Sequence, residues 1–153
     1  SSAFDMHIKW PNDVVDKKYR KCGGVLSKLQ NDGSVKIGVG MNRYVQQIPG
    51  VDTTGWDASL PMMSKSTAIC VADAAVASAL DSHPLIGSPN SEELRNSAWR
   101  EISKVLSRGH SAVVDGIDKR VVGIEENGGI LIAGDSGKTS ISEVDQISWK
   151  VAI

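Results

Sequence analysis

Lys9-Trp10-Pro11-Asn12-Asp13, Lys21-Cys22-Gly23-Gly24-Val25-Leu26 and Ile37-Gly38-Val39-Gly40-Met41-Asn42 are the three pieces on which the fold turns. The last two flank Asn31-Asp32-Gly33, a strong turn signal, and so predict an antiparallel hairpin over 21–29 and 34–42. In its second arm Val35, Ile37, Val39 and Met41 share one face, and Lys36, Gly38, Gly40 and Asn42 share the other. Two successive glycines leave that second face bare. Such a gap marks the close approach of a ligand or another backbone, or else a bulge or a bulky neighbour packed into it. Lys9, Asp13 and Lys21 stand at strand ends nearby. Exposed lysine is the norm, but two lysines beside glycines that bare their backbone N–H groups make a better anion site than either alone.

Working outward, residues 4–10 alternate. Phe4, Met6, Ile8 and Trp10 take one face, and Asp5, His7 and Lys9 the other, which predicts a strand with the first set buried. Pro11 ends it, Asn12 and Asp13 are turn-formers, and Val14-Val15 can begin another short strand. Residues 43–62 read as a long loop with Trp56 and Leu60 to pin it. Ser64 or Ser66 can cap a helix to about Asp81, with Ile69, Ala72, Val76, Ala79 and Leu80 as its stripe. Asn90 with Glu93 begins a second helix, with Leu94, Ala98, Ile102, Val105 and Leu106 apolar, ending near Arg108-Gly109. Thereafter short strands are expected at 110–115, 120–125, 130–133, 139–141 and 147–151, separated by glycine turns. The expected architecture is α+β, divided into 1–108 and a small β-module at 109–153.

Composition narrows the function classes. The 153 residues are 41% hydrophobic and 23% charged, with net charge −1. No basic run offers a footprint for DNA, and no apolar run approaches the roughly 18 residues of a membrane span. Cys22 and Cys70 are too few for a disulfide scaffold and read as reduced thiols in a cytosol. The chain starts with Ser almost directly in a strand, which suggests a beginning inside a larger product. His7, His83 and His110 lack metal-site spacing. There is no nucleophile elbow, Walker loop or dinucleotide fingerprint. Asp13 could hold Mg²⁺ beside a phosphate, or simply shape its turn.

The three pieces together, in this order and spacing, closely resemble the biotin protein ligases (holocarboxylase synthetases). Gly-Gly before Val-Leu is more like the eukaryotic members. The resemblance is strongest over 8–42 and looser through the helices and terminal module. It implies a catalytic domain related to the class II aminoacyl-tRNA synthetase core, with a mixed sheet, followed by a small SH3-like barrel. It implies ATP-dependent activation of biotin to biotinyl-AMP with Mg²⁺, then transfer to a lysine of a biotin carboxyl carrier domain. By this resemblance Lys21 contacts the biotin carboxyl and the α-phosphate. Lys9 and Asp13 lie near the phosphates and Mg²⁺. Gly24, Val25, Gly38 and Gly40 belong to the biotin pocket, and Asn12 and Asn42 join Lys21 in contacting ATP. The family's Gly-Arg-Gly-Arg-type loop is absent from this sequence, as are the first elements of its catalytic domain. Arg43 stands where a small apolar residue is usual. The chain is therefore expected to be the C-terminal half of a ligase, either completed by an N-terminal half on another chain or a processed or truncated piece, with no activity alone and homodimerisation open. Competing readings are a lipoate–protein ligase relative and a non-catalytic fragment that binds partners through its sheet edge.

Overall fold

The computed structural model describes residues 6–58, 60–82, 91–106, 111–125, 127–134 and 137–150. Two compact units result, Ser1–Ala79 and Leu80–Ile153. The second helix groups with the C-terminal strands in the second of these units.

The first unit is built on a four-stranded sheet in chain order: β1 (Met6–Lys9), β2 (Asp13–Asp16), β3 (Lys21–Leu29) and β4 (Val35–Met41). All its ladders are antiparallel, and one parallel bridge, Lys21 to Thr53, joins a later segment to β3. The β3–β4 hairpin is regular from Gly23↔Met41 to Leu29↔Val35. It closes at the expected turn, where Gly33 has φ 82° and donates to the Gln30 carbonyl. Near the tip Lys28 and Lys36 are direct cross-strand partners. Between β2 and β3 the register slips at Val14/Val15, so Lys21 pairs with Val15 beyond a bulge.

The alternation of β1 is present, but its buried side is the reverse of the expected one. His7 is buried and Ile8 is exposed. Trp10 is buried beyond the strand's end, after which comes a cis Trp10–Pro11 bond. Alternation identifies two faces without saying which one the rest of the chain covers. Here Val15, paired with His7, joins Trp10, Tyr19, Cys22 and Trp56 as the buried set of this unit.

Helix α1 (Lys65–Ser82) starts where Ser64 predicts. The Ser64 hydroxyl accepts the Thr67 N–H at 3.1 Å, satisfying one of the free amides of the first turn. Its stripe is much narrower than expected: Ala68, Ala72 and Val76 are half-buried, while Ile69 and Leu80 are exposed. No helix of the described residues is long and apolar enough to cross a membrane.

In the second unit α2 (Ser91–Leu106) packs on β7, with Ile102 buried. The expected cap at Asn90 lies outside the described residues, as do the side chains of Leu94 and Val105. Six strands follow: β5 (Ser111–Val114), β6 (Ile117–Lys119), β7 (Val121–Ile124), β8 (Ile130–Gly134), β9 (Gly137–Ile141) and β10 (Ser148–Lys150). They form two antiparallel sheets, β10-β5-β6 and β7-β8-β9. Strand β6 was not expected. Asp115-Gly116, both at positive φ (52° and 76°), makes a two-residue hairpin, so the chain turns back sooner than the glycine alone suggested. Ile130, Ala112, Ile132, Ile141 and Ile147 are buried here.

Candidate functional site

The charged centre of the first unit is Asp13, at the start of β2. Its carboxylate accepts from the Lys21 ammonium and lies 3.8 Å from that of Lys9. The three side chains come from the ends of three consecutive strands: Lys9 closes β1, Asp13 opens β2 and Lys21 opens β3. Lys9 also lies over the ring of Tyr19, 5.7 Å from its centroid. Tyr19 is buried at φ 66°, and its phenol is raised well above the ordinary tyrosine range by burial, then by the charge of Asp13. The loop that carries Tyr19 is folded around Asp16. One Asp16 carboxylate oxygen accepts the amides of Lys18 and Arg20, both at 2.9 Å, and the other accepts the Arg20 guanidinium at 2.9 and 2.7 Å.

Beside this triad is a cleft of about 570 Å³. Asn12, Asp13, Lys21 and Asn42 line its polar end. Gly24, Gly38 and Gly40 form the bare floor, with Gly23, Leu26, Val39 and Met41 around them. The gap in the glycine face is open. The hairpin has no bulge there, and a Cβ added at Gly38 or Gly40 would meet nothing nearer than a backbone oxygen at 3.9 Å. Neither a bulge nor a packed neighbour fills the gap above Gly38 and Gly40. Gly23 is different: its Cβ would lie 2.3 Å from the Gly40 carbonyl, so close strand packing requires glycine there.

The expected site residues are thus largely brought together, with two outside the cleft lining. Lys9 touches the cleft only through Asp13. Val25, paired with Val39, lies on the opposite face from Gly24 by strand alternation. Asn12 is partly committed to the scaffold, since its amide donates to the Val25 carbonyl at 3.0 Å. Asn42 holds the hairpin end, its N–H donating to the Cys22 carbonyl at 2.7 Å.

A feature not anticipated is the ordered course of the segment after Asn42. Lys21 donates its N–H to the Asp52 carbonyl, and its own carbonyl accepts from Thr54, both at 2.8 Å. Trp56 donates to the Asn42 carbonyl at 3.0 Å. The guanidinium of Arg43 lies over the rings of Tyr44 and Trp56. The sequence offered Trp56 as a pin, but the hydrogen bonds to Lys21 and Asn42 are backbone contacts that leave no side-chain pattern.

No protein-family model matches the sequence, and no curated protein matches it. Solved structures do. Biotin protein ligase from Aquifex aeolicus in complex with biotin and ATP matches with a TM-score of 0.68 at 22% identity, over 97% of this chain and 63% of that one. The fold is that of a biotin protein ligase. A crystal structure of the same ligase gives a TM-score of 0.69 at 22% identity, over 96% of this chain and 65% of the ligase. Its apo structure gives 0.63 at 21%, over 97% and 66%. This chain therefore spans less than two thirds of the length of the biotin protein ligases it matches.

Proposed function

We propose that this chain is the part of a biotin–protein ligase that carries the floor of the adenylate site. The observation that bears most weight is the Lys9–Asp13–Lys21 triad at one end of an open glycine floor, within a ligase fold. In this reading the flat ureido ring of biotin lies over Gly24, Gly38 and Gly40, where side chains would obstruct it. The biotin carboxylate attacks the α-phosphorus of ATP, pyrophosphate leaves, and biotinyl-AMP forms. The amine of a lysine on a biotin carboxyl carrier domain then attacks the acyl carbon, and AMP leaves. Lys21 supplies positive charge where negative charge builds on the reacting oxygens. Asp13 holds the Lys21 ammonium at the cleft until an anionic group competes for it, and Lys9 keeps Asp13 from being a bare anion. Asn12 and Asn42 form the nucleotide side.

The residues present do not by themselves fit a magnesium ion. Asp13 is the one carboxylate among the lining residues, and both lysines engage it. No group of three His, Cys, Asp or Glu suited to a metal occurs among the described residues. No step is therefore assigned to the metal.

The remaining parts of the reading follow the same family logic. Residues 1–108 would belong to a catalytic domain of the class II synthetase kind, and 109–153 to an SH3-like module. A second polypeptide or segment would supply the rest of the pocket, and the protein would work in the cytoplasm. The test is to measure biotinyl-AMP formation from biotin and ATP in the complete assembly. Lys21→Ala is expected to reduce it by roughly 100-fold or more while leaving assembly intact. Unchanged turnover in Lys21→Ala would refute the assignment.

A further inference from the structure

We propose that Thr53 is a positioning residue for Lys21, acting through the backbone of the segment 43–58; this rests on the ligase reading above. Lys21 opens β3, pairing with Val15 past the β2–β3 bulge and lying beyond the last β3–β4 pair, Gly23↔Met41. A bulge re-aims side chains, and something must set the new aim. The peptide groups on either side of Thr53 do so. The Asp52 carbonyl takes the Lys21 N–H and the Thr54 N–H meets the Lys21 carbonyl, which clamps one residue from both ends.

The clamp is itself held by one hydroxyl. Thr53 is 4% exposed, and its Oγ1 accepts the Gln46 N–H at 3.0 Å while donating to the Gln46 carbonyl. That pair of bonds closes the turn 46–53, inside which the Val51 N–H also donates to the Ile48 carbonyl at 3.1 Å. The return path is equally constrained, because a Cβ on Gly55 would lie 2.2 Å from the Arg43 carbonyl oxygen. Next along, Trp56 holds the Asn42 carbonyl, so the same segment holds the backbone at both Lys21 and Asn42 on the polar end of the cleft. A threonine placed this way touches no ligand. Its hydroxyl determines where the Lys21 ammonium meets Asp13.

The experiment compares Thr53→Val, which keeps shape and removes the hydroxyl, with Thr53→Ser, which keeps the hydroxyl. Both are made in the complete ligase assembly, beside a variant of the second unit, Ile141→Val, as a packing control. Biotinyl-AMP formation is resolved into kcat and KM. Thr53→Val should lower kcat by roughly 10- to 100-fold with little change in the KM for biotin, since misplacement of a charged group acts on the transition state. Thr53→Ser should stay within about threefold of wild type, and Ile141→Val likewise. If Thr53→Val does not fold, Thr53→Ala removes the same hydroxyl without a methyl against Gln46. Wild-type kcat in the hydroxyl-free variant overturns the proposal, and so does equal impairment in Thr53→Ser. If the wild-type assembly makes no biotinyl-AMP, the ligase reading fails and this proposal falls with it; if wild type is active and Thr53→Val equals it, only this proposal falls.

Discussion

The Cys22 thiol is fully buried, against the Met6 sulfur and the Val14 carbonyl, each at 3.2 Å. Burial, and then the charge of Asp16, pushes its pKa up to about 11. A raised thiol pKa means that the folded state holds the proton more tightly than the unfolded chain does. The resulting stabilisation is complete below the unfolded value and is lost as pH rises through about 11. Cys70, by contrast, is exposed on α1. Iodoacetamide at pH about 8 is therefore expected to alkylate Cys70 promptly and Cys22 only once denaturant is added, because the thiolate is the reactive form. Intact mass after timed quenching reads this directly. A doubly labelled native protein would contradict the burial of Cys22. Asp13 shows what single residues disclosed beforehand. Its position in the sequence suggested a turn or an ion site, and it serves as the acceptor between two lysines. Residue type announced the charge, but only the strand pairing could say which charges meet.

At the level of elements, the β3–β4 hairpin carries two kinds of glycine that look alike in sequence. Gly23 is packed against the opposite backbone, and Gly38 faces open space. Gly23→Ala should destabilise the unit by at least ~1–3 kcal/mol, as overpacking against backbone does. Gly38→Ala should hold stability or raise it by up to ~1 kcal/mol, since alanine in a strand loses less entropy than glycine. It should nonetheless weaken biotin binding by the complete assembly. Thermal unfolding and a biotin titration on the same two variants separate the roles; equal Tm losses would show that both glycines serve packing alone. The hairpin was legible because its turn chemistry and its alternation agree. The first helix was legible at its start, where Ser64 caps it, but its stripe was overestimated: Ile69 is apolar and exposed. Strand β6 escaped because three residues carry too little pattern. The segment 43–58 escaped for a different reason. Its structure consists of backbone hydrogen bonds to residues far away in sequence, and backbone groups are the same in every residue. Thr53 and Gly55 carry the constraint as side-chain identity, as does Arg43 stacked on Tyr44 and Trp56.

The whole chain corresponds to 63–66% of the length of the ligases that share its fold. Several large apolar side chains of the first unit are exposed: Leu26 at 71%, Leu29 at 69% and Ile69 at 58%. On the proposed ligase reading this chain carries only the floor of the cleft, and the isolated chain is expected to form no biotinyl-AMP at a rate comparable to a complete ligase. A radiolabelled-ATP assay on the purified chain checks this, and full turnover would overturn it. Apolar strands left open in this way carry a hazard, and the hairpin tip has a bearing on it. Lys28 and Lys36 face each other across the two strands. Like charges in that relation weaken a hairpin, so the pair lowers the intrinsic stability of the tip. The same charges repel the tip of another molecule, and lysine on open strands is a common guard against stacking into larger aggregates. The tip thus gives up some rigidity in exchange for colloidal solubility, and high salt, by screening the pair, would firm the hairpin while making the protein easier to precipitate.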